Sequence, residues 1–268
     1  MMDIVVVAYP KTIPLLKVFC ESFRLHYKGS GYLIIFSDSS CMKQIKDLDL
    51  PNRVKIISKE EILSDHLQYS GYLTQQYFKF FSHQVIENPS YLVADDDFLF
   101  IRPTNEAHFF HEGKPVWFYQ NWQYAGKAIG WKEPTLRFFE MEGFKGSESI
   151  EQPYLFLTSN PTYIYSRNVV DALWNRINPR SILKQEKFAE GQTYGAFAYS
   201  QFRDHYHWLN NYWWDEVLGG RVNQIPPDYL TLDPTIRFED FAHFNFLSFW
   251  SHWSRAEEKM KEFLEASR

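Results

Sequence analysis

The chain has 268 residues, 45% of them hydrophobic, and a formal net charge of −5. That length suits one large core. The acidic balance, with no Lys/Arg block, leaves no electrostatic footprint for nucleic acid or an anionic membrane surface.

In chain order, Asp3 to Ala8 reads as a β-rich run, the first strand. The N-terminus MMDIVVVAYP lacks the basic segment of a signal peptide, and no apolar run approaches the ~20 residues that span a bilayer. A soluble, cytoplasmic protein is expected. Leu15, Leu16, Phe19, Phe23 and Leu25 then recur at helical spacing. GYLIIFSD is a second strand ending in Ser37 and Asp38. RVKIISKEEIL is a third strand running into a helix, with Ser58 as cap and Glu61 three residues on. YLTQQYFKFFSHQVI is a helix with Leu73, Tyr77, Phe80 and Phe81 on one side.

The strand Tyr91 to Ala94 follows, then Asp95, Asp96 and Asp97, then the apolar run Phe98 to Ile101. Strand–helix alternation at this spacing predicts an α/β fold with a mostly parallel central sheet flanked by helices. Ligands of such sheets bind at the carboxyl ends of strands, where Ala8-Tyr9, Ser37-Asp38 and Asp95 to Asp97 lie.

From about Trp117 the rhythm changes. VWFYQNWQYAGKAIGWKEP is aromatic and loop-like. LFLTSNPTYIYSRNVVDALWNRI reads as loop, strand and amphipathic helix. FAEGQTYGAFAYSQF and HYHWLNNYWWDEVLGG are aromatic-rich, and SRAEEKMKEFLEASR is a closing charged helix. No interdomain linker is evident, so one domain, 1–268, is expected in two halves, 1–115 and 116–268. Nine Trp, 17 Tyr and 24 Phe exceed what a core of this size needs, so some rings line a binding surface suited to sugars or nucleobases. Trp122, Trp131, Trp208, Trp213 and Trp214 are candidates for it, at least half of them being plain core. His205 and His207 beside Trp208 suit an acceptor wall. Cys20 and Cys41 lack metal-site spacing and fit a reducing compartment, with a disulfide between them left open.

Three adjacent anions repel one another and lose hydration on burial. The bland account is a solvated turn, although no Gly, Asn or Pro appears before Pro103. The sharper account is a hard divalent cation, Mn²⁺ or Mg²⁺, held by Asp95 and Asp97. An extended backbone would put these two on one side and leave Asp96, on the other, to meet a substrate hydroxyl or a basic neighbour. No Walker or dinucleotide glycine loop is present, so a bound diphosphate would need such an ion for neutralisation.

Three motifs stand in this sequence: Gln75-Gln76-Tyr77-Phe78-Lys79, Tyr91-Leu92-Val93-Ala94-Asp95-Asp96-Asp97 and Ala189-Glu190-Gly191-Gln192-Thr193-Tyr194-Gly195. On them the N-terminal half resembles the nucleotide-binding half of GT-A-type glycosyltransferases. More narrowly, residues 3 to 200 are similar to a little-characterised family of bacterial and viral proteins carrying Q-Q-x-x-K, Y-L-x-x-D-x-D and S/A-E-x-x-x-Y-G. Ala189 stands where Ser is commoner.

The resemblance implies a single GT-A-like, Rossmann-like domain. It also implies metal-dependent transfer of a sugar from a nucleotide-diphosphate donor, taken as a UDP-sugar, to a hydroxyl of a glycan or small acceptor. Ala8, Tyr9, Asp38, Gln76, Lys79 and Asp95 would serve the donor. Three of them have a plainer account: Lys79 a solvated helix lysine, Asp38 a turn residue, Tyr9 a packed ring. Glu190 is the leading base or acceptor-orienting group, against a helix-dipole glutamate, and Asp215 is its rival. His243 is a further metal ligand or a satisfied core histidine. A metal-dependent phosphohydrolase and a non-catalytic carbohydrate-binding protein are the alternatives; the first would want more His and Asp at strand ends.

Overall fold

The computed structural model describes residues 1–121, 130–144, 155–156, 163–210, 238–240, 245–249 and 255–268. Its strands are β1 (Asp3–Val7), β2 (Leu33–Ser37), β3 (Val54–Ser58), β4 (Ser90–Ala94), β5 (Phe98–Phe100), β6 (Phe110–His111), β7 (Lys114–Asn121), β8 (Leu155–Phe156), β9 (Tyr163–Ser166), β10 (His207–Asn210) and β11 (Phe246–Ser248). Its helices are α1 (Ile13–His26), α2 (Met42–Lys46), α3 (Lys59–Ile62), α4 (Gly71–Phe81), α5 (Lys132–Met141), α6 (Arg167–Trp174), α7 (Glu190–Gln201) and α8 (Ala256–Ala266).

The main sheet has the order β3-β2-β1-β4-β9. The β3–β2, β2–β1 and β1–β4 pairs are parallel and β9 runs antiparallel to β4. β1 and β2 are buried along their whole length, as expected of a sheet covered on both faces. Alternation divides them between two cores. Val5, Val7, Ile34, Phe36, Tyr91 and Val93 pack with side chains of α4, α6 and α7. Ile4, Val6, Leu33, Ile35, Leu92 and Ala94 pack with Leu16, Phe19, Cys20 and Phe23 of α1. Full burial of each large apolar side chain contributes roughly 1.5–3 kcal/mol, so both faces hold the sheet rigidly beneath its polar edge.

β5 connects to the end of the chain. It pairs antiparallel with β11, and Leu99 packs with Leu247 and with Met260, Phe263 and Leu264 of α8. The charged closing helix of the sequence is thus α8, docked by its apolar stripe. Cys20 and Cys41 are buried free thiols. Among the described residues no helix is long and apolar enough to cross a membrane.

Two expectations need correction. The stretch from Val116 is not loop-like at its start: Lys114–Asn121 is an eight-residue strand, fed by a tight hairpin in which Glu112 and Gly113 both take positive φ. It then pairs with β10 and β8 in a second sheet. Ser58 is at the N-cap position of α3 but makes no capping bond; its hydroxyl meets Ser39 and Glu60 instead.

Candidate active site

Because β3, β2, β1 and β4 are parallel neighbours, their carboxyl ends form one edge. Lys59, Asp38, Ala8-Tyr9 and Asp95 follow those four ends. The strand-end coincidence expected from the sequence is therefore present, with a fourth member at Lys59.

The three aspartates form a turn, not the extended run assumed above. The Asp95 carbonyl accepts the Phe98 N–H at 3.2 Å, reversing the chain between β4 and β5. The turn is not solvated either. Asp96 is 4% and Asp97 5% exposed, and the Asp97 carbonyl accepts the Phe249 N–H at 2.8 Å, fastening the turn to the segment after β11. The Asp96 Oδ2 is buried without a hydrogen-bond partner. Burial pushes the Asp96 carboxyl up to about 7; the Asp95 charge adds to this, while the Thr12 hydroxyl and the Lys79 ammonium oppose it. Asp96 and Asp97 are thus the enclosed members of the three, and Asp95 is the partly exposed one.

Helix α4 gathers the three sequence motifs. Gln75 donates from Nε2 to Asp95 Oδ1 at 3.1 Å. Gln76 Oε1 accepts the Glu190 backbone N–H at 3.2 Å, one of the free donors at the start of α7. Lys79 Nζ lies 2.9 Å from Asp95 Oδ1 and 2.7 Å from Glu190 Oε1. Lys79 is no solvated lysine; it is 3% exposed. Burial alone would lower its pKa, but the Asp95 and Glu190 carboxylates outweigh that and hold it well above an ordinary lysine.

Gly191 completes the wall. A Cβ there would stand 2.5 Å from Tyr163 Cε1, so only glycine lets that ring pack on the first turn of α7.

A second buried lysine stands one strand over. Lys59 Nζ donates to the Ala8 carbonyl at 2.8 Å, pairs with Asp38 Oδ1 at 3.2 Å and lies 3.5 Å from the centre of the Tyr9 ring. His66 Nε2 reaches the same Asp38 oxygen at 3.1 Å. Tyr9 donates its hydroxyl to the Gly71 carbonyl at the head of α4. Burial lowers the Lys59 pKa and its single carboxylate partner does not reverse that.

Sequence reasoning missed Lys59 and His66, and gave Gln75 no role. Lys59 could have been found as the residue following a fourth parallel strand; His66 carried no signal. Asp215, His243, Trp122, Trp213 and Trp214 lie outside the described residues. Trp208 packs on Tyr199 and Tyr206 with Nε1 on the Arg203 carbonyl, a packing role.

The turn suits a hard divalent ion by donor type. Among the described residues every hydrogen bond or ion pair of the Asp95 side chain falls on Oδ1, and that side chain is 29% exposed, which leaves Oδ2 toward the surface. Among the described residues no group of three or more His, Cys, Asp and Glu is arranged as a metal cage. One or two carboxylates, completed by substrate phosphates and water, is the usual supply for Mg²⁺-like ions.

No known protein family matches the chain, and no curated protein matches it in sequence. Solved structures do. The galactosyltransferase LgtC, in complex with donor and acceptor sugar analogues, aligns at a TM-score of 0.53 and 12% identity, over 99% of this chain and 96% of that one. Mouse xyloside xylosyltransferase 1 aligns at 0.50 and 12%, over 94% and 98%. The bifunctional glycosyltransferase WbbM aligns at 0.52 and 9%, over 99% of this chain and 49% of that one. At such identities the likeness speaks for architecture: the chain has the mixed α/β fold, built on a mostly parallel sheet, of GT-A-like glycosyltransferases.

Proposed function

We propose that the protein is a metal-assisted glycosyltransferase, moving a sugar from a nucleotide-diphosphate donor, a UDP-sugar, to a hydroxyl of a saccharide acceptor. The observation that carries this reading is the convergence of Asp95, Lys79 and Glu190 at the carboxyl edge of the parallel sheet, where α/β folds bind their ligands. Asp95 and Asp97 would hold a Mn²⁺ or Mg²⁺ ion, which when bound neutralises the departing diphosphate.

The chain's own groups do the rest. Gln75 and Lys79 fix the orientation of Asp95. Tyr9, clamped between the Gly71 carbonyl and the Lys59 ammonium, offers a ring edge-anchored for the nucleoside. Glu190 is fixed at both ends, its backbone by Gln76 and its carboxylate by Lys79. A carboxylate in that pair surrenders it on accepting a proton, so the geometry favours a positioning role over a base. A phosphohydrolase is less well supported, since the further Asp and His at the strand ends, Asp38 and His66, bond to each other and Asp38 also pairs with Lys59.

A thermal-shift screen of nucleoside diphosphates tests the reading. UDP at ~100 times its dissociation constant adds about 2.7 kcal/mol of stability, and the shift is expected with Mn²⁺ and not with EDTA. Equal shifts in both, or none with any nucleotide, would remove the support.

A further inference from the structure

Helix α4 makes a third contact with the segment that leads into α7, and it points to a saccharide subsite. Tyr72, Gln76 and Lys79 lie four and then three residues apart, on one face of α4. Each bonds to residues 188–190: Tyr72 Oη donates to the Phe188 carbonyl at 2.6 Å, Gln76 accepts from the Glu190 N–H, and Lys79 pairs with the Glu190 carboxylate. Gln76 is as buried as Lys79. Lys79 is enclosed, whereas Tyr72 is 42% exposed.

The Tyr72 hydroxyl is tied down, so its ring keeps one orientation. Trp131 stacks on it with centroids 5.9 Å apart and planes 28° apart. The backbone of Trp131 is pinned in turn, its carbonyl accepting the Thr135 hydroxyl at 2.8 Å. The result is a fixed, half-open aromatic ledge at the upper end of a row whose lower end holds the Lys79 cluster.

We propose that this ledge binds a sugar ring of the acceptor, and specifically the ring next to the one that receives the transferred sugar. The apolar C–H face of a pyranose matches such a surface, while its hydroxyl rim stays in water. Spacing assigns the ring. Seven residues of α helix separate Lys79 from Tyr72, about 10 Å of rise. That is beyond the ring whose hydroxyl reacts beside Asp95 and Glu190, and within reach of its neighbour along a glycan. The acceptor class is therefore a di- or oligosaccharide. The assignment of the ring rests on the transferase reading; the existence of the ledge does not.

Calorimetric titration with a panel of disaccharides of glucose, galactose, xylose and N-acetylglucosamine, each against its methyl monosaccharide, tests this directly. At least one disaccharide is expected to bind the parent more tightly than its monosaccharide. Trp131→Ala should weaken it by about tenfold, the size of one good aromatic contact. Trp131→Leu keeps apolar bulk without the flat ring and should weaken it similarly, which covers the case in which the alanine variant fails to fold. Equal binding of disaccharide and monosaccharide by the parent, or parental affinity in Trp131→Leu, overturns the ledge. A parallel UDP–Mn²⁺ titration of the parent separates the two ideas: nucleotide binding without disaccharide preference sinks the ledge alone, and disaccharide preference without nucleotide binding sinks the transferase reading alone.

Discussion

Two lysines are buried at the same edge of the same sheet, and they sit in opposite electrostatic settings. Lys79 faces two carboxylates, Asp95 and Glu190, one on the turn after β4 and one at the start of α7. Lys59 shares one carboxylate, Asp38, with His66, and all three belong to the first 66 residues. Burial pulls both ammonium groups down, yet the pKa ends high at Lys79 and low at Lys59. Formal charges explain why. Lys79 and its two ion-pair partners sum to −1 before Asp96 and Asp97 are added, whereas Lys59 and its one ion-pair partner, Asp38, sum to zero, with the Glu60 carboxylate acting from farther off. A buried site with unspent negative charge is suited to a further cation; a balanced one is suited to holding Tyr9 and the β1 end in place.

The largest test of this contrast removes Lys79. Lys79→Met leaves two carboxylates facing each other in a largely dry site and should cost about 3–5 kcal/mol, measured by urea unfolding. A loss below 1 kcal/mol would mean the pair is far better hydrated than its burial implies.

Asp96 comes next: burial raises its pKa and the neighbouring Asp95 charge adds to the rise. Its carboxyl titrates near 4 when unfolded and at about 7 when folded. Between those values the native state holds more protons than the unfolded one, so stability falls as pH rises through that window. In metal-free buffer Asp96→Asn should abolish this fall and be more stable than the parent at pH 8, by on the order of 3 kcal/mol. A stability profile between pH 4 and 8 that is the same for both proteins contradicts the burial of that charge.

Much of this arrangement was legible in the sequence. Alternating patterns marked β1 to β4 with α1 and α4, and the three short motifs named the residues that meet. Locally the chain could not say how they meet. Lys79 and Glu190 are 111 residues apart, and nothing in KFAEGQTYG marks the carboxylate as a lysine partner. The aspartate turn was misjudged because it has no glycine, asparagine or proline; it is imposed from outside, by Phe249 on the Asp97 carbonyl and by the pairing of β5 with β11. The strand β7 was hidden by its aromatic content, which reads equally well as a binding loop.

Smaller changes sharpen the contrast. Lys59→Met should cost about 2 kcal/mol, less than Lys79→Met, because His66 still bonds the Asp38 oxygen that Lys59 leaves. A greater loss than at Lys79 would reverse the comparison. Glu190→Gln brings the Lys79 cluster from −1 to zero while keeping an oxygen for the ammonium. It should weaken metal-dependent UDP binding by about tenfold, or ~1.4 kcal/mol, with the pH profile of turnover unchanged in shape. A fall in kcat of ~10²- to 10⁴-fold at parental UDP affinity would make Glu190 the general base instead.

The central claim is that the aspartate turn holds a divalent ion for a nucleotide diphosphate, and one calorimetric titration addresses it. UDP is titrated into the parent and into Asp97→Ala, each with Mn²⁺ and with EDTA. The account predicts binding by the parent only with Mn²⁺, and loss of that binding in Asp97→Ala while the fold survives. UDP–Mn²⁺ binding by Asp97→Ala at parental affinity would contradict it.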